Sequence, residues 1–219
     1  MIFMLRDVRL SYPKLEEPEY FQGVKQRPDD KRRWSASYHV GPQSAATRLN
    51  EKGQVIGKVE SAKTAIDAAL RELAKTQWTG NNEKGKPKFE AILASILSDP
   101  KGCCWLDGVR KDLDDGTWIL NSHRGEDKGR PLVMDNDKSP IYKADGTLYE
   151  GKAGRVFSGC YVNAQVEFWA QDNKAGKGLR CTLMAIQRLR DGDAFSGGTA
   201  PIADAFAEVA DGADADDMS

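Results

Sequence analysis

Cations, aromatic rings and glycines recur together along this sequence. Lys31, Arg32 and Arg33 lead directly into Trp34 and Tyr38. Trp118 heads a stretch that runs out to His123 and Arg124, with Lys128 and Arg130 close behind. Lys152 and Arg155 precede Phe157, and Tyr161 and Trp169 alternate with Asn163 and Gln165. A flat ring accepts a stacked nucleobase, worth on the order of 1–3 kcal/mol per base with little regard to sequence. Neighbouring Lys and Arg neutralise phosphates and release counterions, and glycines let a backbone approach closely. A duplex hides its base faces, so this mixture points to an unpaired strand. Trp34, Tyr38, Trp118, Tyr161 and Trp169 are the stacking candidates, Phe157 is a further contact candidate, and core packing is the alternative for each. The phosphate candidates are Lys31, Arg32, Arg33, Arg124, Lys128, Arg130, Lys152 and Arg155.

Catalytic patterns are missing. The chain has no GxGxxG after a strand, no GxxxxGK[ST], no HExxH and no GxSxG. DNDKSPIYKADG fails as a calcium loop, with Pro140 where glycine is needed and Gly146 where the closing glutamate belongs. Asp112, Asp114 and Asp115 in DLDDG are suited to holding magnesium in a nuclease, but an acidic turn before the Trp118 strand is the plainer reading. Cys103, Cys104, Cys160 and Cys181 form no CxxC pair, and His39 and His123 are the only histidines. No zinc site, cofactor or catalytic group is expected.

Stepping along the chain, the elements that must hold these groups are mostly strands. Ile2 to Tyr12 alternates and ends at Pro13; the Pro-rich stretch up to Arg33 reads as a loop. In WSASYHV, Trp34, Ala36 and Tyr38 share one side. The spacing over 61–78 predicts a helix with Ala62, Ala65, Ile66, Ala69, Leu70, Leu73 and Ala74 on one face and Ser61 available as its cap. A shorter helix is expected in KFEAILASILS. TWILNSHR, RVFSGCYVNAQVEFWAQD and LRCTLMAIQRLR read as strands, the last two joined through NKAGKG as a hairpin. In that pair Val162, Ala164, Val166, Phe168 and Ala170 take one face. The 125–154 region reads as a long connection with a short hairpin. The expected class is mostly β with helical insertions.

Charge is split unevenly. The chain has 32 Lys and Arg against 33 Asp and Glu, yet no cation follows Arg190, whereas eight acids do. The first 190 residues therefore carry +7. A basic body and an acidic end suit a polyanion-binding protein. Residues 196–219, rich in Ala, Gly and Asp, read as a disordered tail after a domain spanning 1–195. No apolar run is long enough for a membrane span and the start lacks a signal-peptide layout, so a cytosolic location is expected.

Three stretches in order, VRLSYPKLEEPEYFQG, VFSGCYVNAQVEFWA and KGLRCTLMAIQRLRDGDAF, resemble the single-stranded DNA-binding proteins of tailed phages, and among them a group typified by an Enterobacter phage member. The resemblance spans roughly residues 6–195. It implies an OB-fold, a partly open β-barrel that binds unpaired DNA without enzyme activity during replication or recombination. It also implies that Asp211, Asp214, Asp216 and Asp217 belong to an acidic tail that recruits replication or recombination proteins. Phe157, Gly159 and Tyr161 match the family's strand motif, and Asp191 and Gly192 its closing turn. The chain ends in Met218 and Ser219 rather than in the aromatic plug common to analogous tails. A nuclease built on the DLDDG acids, a strand-annealing protein and a structural phage protein are the alternatives.

Overall fold

A computed structural model describes residues 1–195 apart from 21, 22, 27, 29, 84, 112, 115, 175 and the Arg110 side chain. Nine strands and two helices follow one another: β1 (Ile2–Glu19), β2 (Arg33–Val40), β3 (Ala45–Leu49), β4 (Glu60–Ser61), α1 (Ala62–Gln77), α2 (Lys88–Ser98), β5 (Trp105–Asp107), β6 (Trp118–Gly125), β7 (Leu132–Met134), β8 (Tyr161–Asn173) and β9 (Gly176–Arg190). Short 3-10 turns follow β5 and β6. The mostly-β class with helical insertions holds. The segment 196–219, read from sequence as a disordered tail, lies outside the described residues.

β1 is the spine. Its first half pairs with β3 on one side and β8 on the other, and from Arg9 onward it pairs with β2, all antiparallel. β2 pairs with β6, and β8 with β9. The circuit β1-β2-β6-β9-β8 returns to β1 through a parallel contact of β6 with β9 at one residue pair, His123 with Thr182. Such a seam leaves the barrel partly open. β7 continues along the same edge of β9, Leu132 to Met134 pairing in parallel with Ala185 to Gln187. This is the partly open barrel of an OB-fold.

Strand alternation supplies the core. Trp34, Ala36, Tyr38 and Val40 of β2 face inward, as do Val162, Ala164, Val166 and Phe168 of β8. α1 packs Ala65, Ile66, Ala69 and Leu70 against this body. It starts where the spacing predicts, but the Ser61 side chain makes no capping bond. Two strand boundaries differ from expectation. β1 does not stop at Pro13 but runs to Glu19, with register shifts on either side of Lys14. These bulges take up Pro13 and Pro18, which donate no backbone hydrogen bond, and Tyr12 sits in one of them at φ +45°. β8 starts at Tyr161 rather than Arg155, because the chain turns at Gly159 with φ +115°.

Candidate nucleic-acid interface

The odd-numbered residues of β2 face outward, and Arg33 at its start opens onto a cleft of about 220 Å³ at the barrel seam. Lys31 and Arg32 enter it from the preceding segment, and Arg124 and Lys128 from the end of β6 and the turn after it. Trp169 of β8 forms a wall, with its indole N–H donating to Thr182 Oγ1 at 3.0 Å. His123 lies at the seam. Six of the fourteen sequence candidates thus meet in one place, although more than a hundred residues separate Lys31 from Trp169.

No carboxylate lines this cleft among the described residues. Glu126 and Asp127 stand in the turn beside it, pairing with Arg32 and Lys31 in exposed ion pairs. Pairs of that kind contribute little in water and exchange readily for a phosphate. Arg124 donates instead to the carbonyls of Gly129 and Lys128, at 2.8 and 2.7 Å. The remaining field is strongly positive. Burial, then Arg33, Arg180 and Lys128, push the His123 imidazole down to about 4. Burial and Arg180 likewise lower the Arg33 guanidinium. Arg180, which the sequence reading passed over, belongs to this set; its position opposite Trp169 across the hairpin is a consequence of register.

This field has a measurable consequence. His123 remains neutral down to about pH 4 in the free protein, whereas an unfolded chain protonates it near 6.5. Its neutral state therefore supports the fold fully above pH 6.5, and that support declines as the pH falls from there toward 4. A bound phosphate reverses the local field, so NMR titration of His123 is expected to show its pKa rising by more than one unit on saturation with oligo-dT. An unchanged value would place the anion elsewhere.

The other candidates have different tasks. Tyr38 is fully buried and Trp34 nearly so; both are corrected to core residues, because the period of two that turns Arg33 outward turns them inward. Burial raises the Tyr38 phenol well above its ordinary range. Trp118 stacks on Trp105, centroids 5.0 Å apart, with the Lys63 ammonium 4.5 Å from the Trp118 ring centre. It lies at the opposite end of β6 from the cleft. Phe157 packs against the core. Arg130 donates to the carbonyls of Leu15 and Glu16 and lies 4.5 Å from the Tyr142 ring centre, bracing the extended end of β1. Lys152 and Arg155 bind the buried Asp135 at 2.8 and 3.0 Å, with Arg188 at 3.5 Å; they hold the 135–155 connection onto β9. Burial works against the Asp135 carboxylate, but bonds from Arg155 and Lys152 outweigh it and hold its pKa well below the usual range.

Tyr161 lies in a second cluster. Arg190 stands 3.9 Å and Arg9 5.6 Å from its ring centre. Here the two matched motifs meet. A Cβ on Gly192 would stand 2.4 Å from the Gly159 carbonyl oxygen and 2.9 Å from the Tyr161 ring, so the close approach of these two turns requires glycine. Of the DLDDG acids, Asp112 and Asp115 fall outside the described residues. Among the described residues no three His, Cys, Asp or Glu side chains are grouped to hold a metal.

A partly open five-strand barrel with a cationic, ring-walled cleft on its outer face is the architecture of an OB-type protein. The family model for the Enterobacter phage Enc34 ssDNA-binding protein matches residues 1–218, and the chain belongs to that family. It is 33% identical over 200 residues to "Putative protein p50" of Acyrthosiphon pisum secondary endosymbiont phage 1, covering 90% of this chain and 88% of that one. The single-stranded DNA-binding protein of bacteriophage Enc34, solved in complex with ssDNA, superposes with a TM-score of 0.58 at 18% identity, over 89% of each chain. A second structure of the single-stranded DNA-binding protein from bacteriophage Enc34 gives a TM-score of 0.55 at 19% identity, over 93% of this chain and 89% of that one. At these identities the likeness is one of fold.

Proposed function

We propose that this protein binds unpaired DNA without sequence preference, shielding it during phage replication or recombination, and that it catalyses no reaction. The observation that carries the reading is the cleft: five cations and the Trp169 ring converge at the barrel seam, and among the described residues no lining carboxylate opposes them. Cations supply phosphate contacts and Trp169 a face for one base, and neither discriminates between bases. Family membership and the ssDNA-bound Enc34 relative support the same ligand. Action in the host cytoplasm accords with this role. Among the described residues no helix is long and apolar enough to cross a membrane.

Residues 1–195 form the DNA-binding unit in this reading, and 196–219 an acidic appendage. Asp211, Asp214, Asp216 and Asp217 compete with DNA for the cations when no strand is bound and are offered to replication or recombination proteins when one is. Gel-shift of single-stranded and duplex DNA, with the full chain and with a chain ending at Phe195, tests both parts. The single strand is expected to bind the more tightly. Removal of the tail is expected to tighten binding several-fold at low salt, with the gain fading as the Debye length shrinks from about 10 Å at 0.1 M to about 3 Å at 1 M. Equal binding of single strand and duplex would refute the ligand; equal binding by the two chains across the salt series would refute the tail's competition.

A further inference from the structure

Beyond Gly192 the chain does something the barrel does not need. Asp193 and Ala194 run exposed across Gly159, where a Cβ would stand 2.1 Å from the Asp193 carbonyl oxygen. Phe195 then folds back onto the outer face of β2. Its ring stacks on His39, centroids 4.5 Å apart and planes 29° from parallel. The Arg9 guanidinium stands 4.3 Å from the Phe195 ring centre and donates to the Asp193 carbonyl at 2.6 Å and to that of Gly159 at 3.3 Å. The Phe195 N–H donates to the Ser158 carbonyl at 3.1 Å. Among the described residues no carboxylate pairs with Arg9.

This contact set is that of a nucleotide: a flat ring on an aromatic face beside a guanidinium, and an oxygen acceptor on the same guanidinium. We propose that Asp193–Phe195 is a built-in stand-in for one nucleotide, and that the slot on His39 and Arg9, edged by Tyr161, is a second subsite for an unpaired strand, entered by displacing Phe195. A phosphate offers Arg9 an oppositely charged, bidentate acceptor where Asp193 offers one neutral carbonyl, which favours a nucleotide over the segment. His39 lies on the same outward face of β2 as Arg33, six residues and about 20 Å away, so the slot and the cleft share one strand face. Because Phe195 directly precedes the acidic segment, filling the slot also detaches the root of that segment.

The inference rests on the single-strand reading above, and its test separates the two. Oligo-dT affinity is measured for the full chain, for Phe195→Ala and for Phe195→Ala combined with His39→Ala. Phe195→Ala is expected to bind about three- to ten-fold more tightly, the double variant to lose that gain. Unchanged or weaker binding by Phe195→Ala, with the unaltered chain binding normally, overturns the subsite and leaves the cleft intact. Hydrogen exchange on the unaltered chain gives an independent result should the variants fold poorly: the Phe195 amide is expected to lose protection when oligo-dT saturates the protein, and retained protection overturns the subsite. An unaltered chain that binds no oligo-dT overturns the single-strand reading itself, and this inference with it.

Discussion

Replacing Arg33 and Lys128 together by glutamate is expected to weaken oligo-dT binding by at least about 100-fold at low salt. Each reversal removes a phosphate contact and adds a repulsion, and about 1.4 kcal/mol apiece already gives a factor of ten. The slope of log affinity against log salt should shrink by about 1.4, because single strands lose about 0.7 per phosphate contact. The same variant should still fold, because Arg33 is only half-buried and Lys128 is exposed. Binding titrations over a salt series, with thermal melts of the same samples to check folding, test this, and an affinity within a few-fold of the unaltered protein would count against the cleft.

The second large effect is on folding. Asp135→Ala is expected to destabilise the protein by about 3–5 kcal/mol, the usual cost of removing one partner from a buried ion network. For a chain of this size that lowers the melting temperature by roughly 10 °C. Asp135 is 1% exposed and receives Lys152 and Arg155, while the Arg188 side chain beside it is only 7% exposed. Removing the carboxylate leaves these cations under-compensated at the junction of β7 and β9. Because its folded pKa lies well below the ordinary value, the Asp135 contribution is complete at neutral pH and is lost as the pH falls below about 4 toward the folded value. Calorimetry of the variant at pH 7 gives the magnitude. Oligo-dT affinity measured well below its melting temperature should be unaffected, since Lys152 and Arg155 serve the fold rather than the ligand.

The sequence carried the elements further than the contacts between them. The α2 boundaries, the inward face of β8 and the β8–β9 hairpin follow from short-range periodicity, which needs no knowledge of neighbours. Trp34 and Tyr38 show how composition misleads: their proximity to Lys31, Arg32 and Arg33 made them look like ligand contacts, while the alternation of β2 had already sent them inward and Arg33 outward. Trp169, chosen by the same reasoning, lies on the outward face of β8, and the β8–β9 register brings it to Thr182 at the seam. The extension of β1 past Pro13 was hidden because proline normally ends a strand, and only the bulges opposite β2 make room for it. Asp135 was passed over entirely. Its partners come from 17, 20 and 53 residues away, so nothing in its local sequence announces a buried carboxylate. Arg180 was missed for the same reason, since its relation to Arg33 exists only across the barrel. The glycine motifs were legible as a resemblance, and their physical content emerged only with the contact between Gly159 and Gly192.

The central claim is that an unpaired strand lies in the seam cleft with a base against Trp169. Tryptophan fluorescence of the full chain and of Trp169→Phe, titrated with poly-dT and with duplex of equal mass, addresses it most directly. The unaltered protein should be quenched strongly by poly-dT and weakly by duplex. The variant should lose most of that quenching while its Phe ring keeps most of the affinity, and Trp169→Ala should lose about 1–3 kcal/mol of affinity. Full quenching retained in Trp169→Phe, or equal quenching of the unaltered chain by duplex, would contradict it.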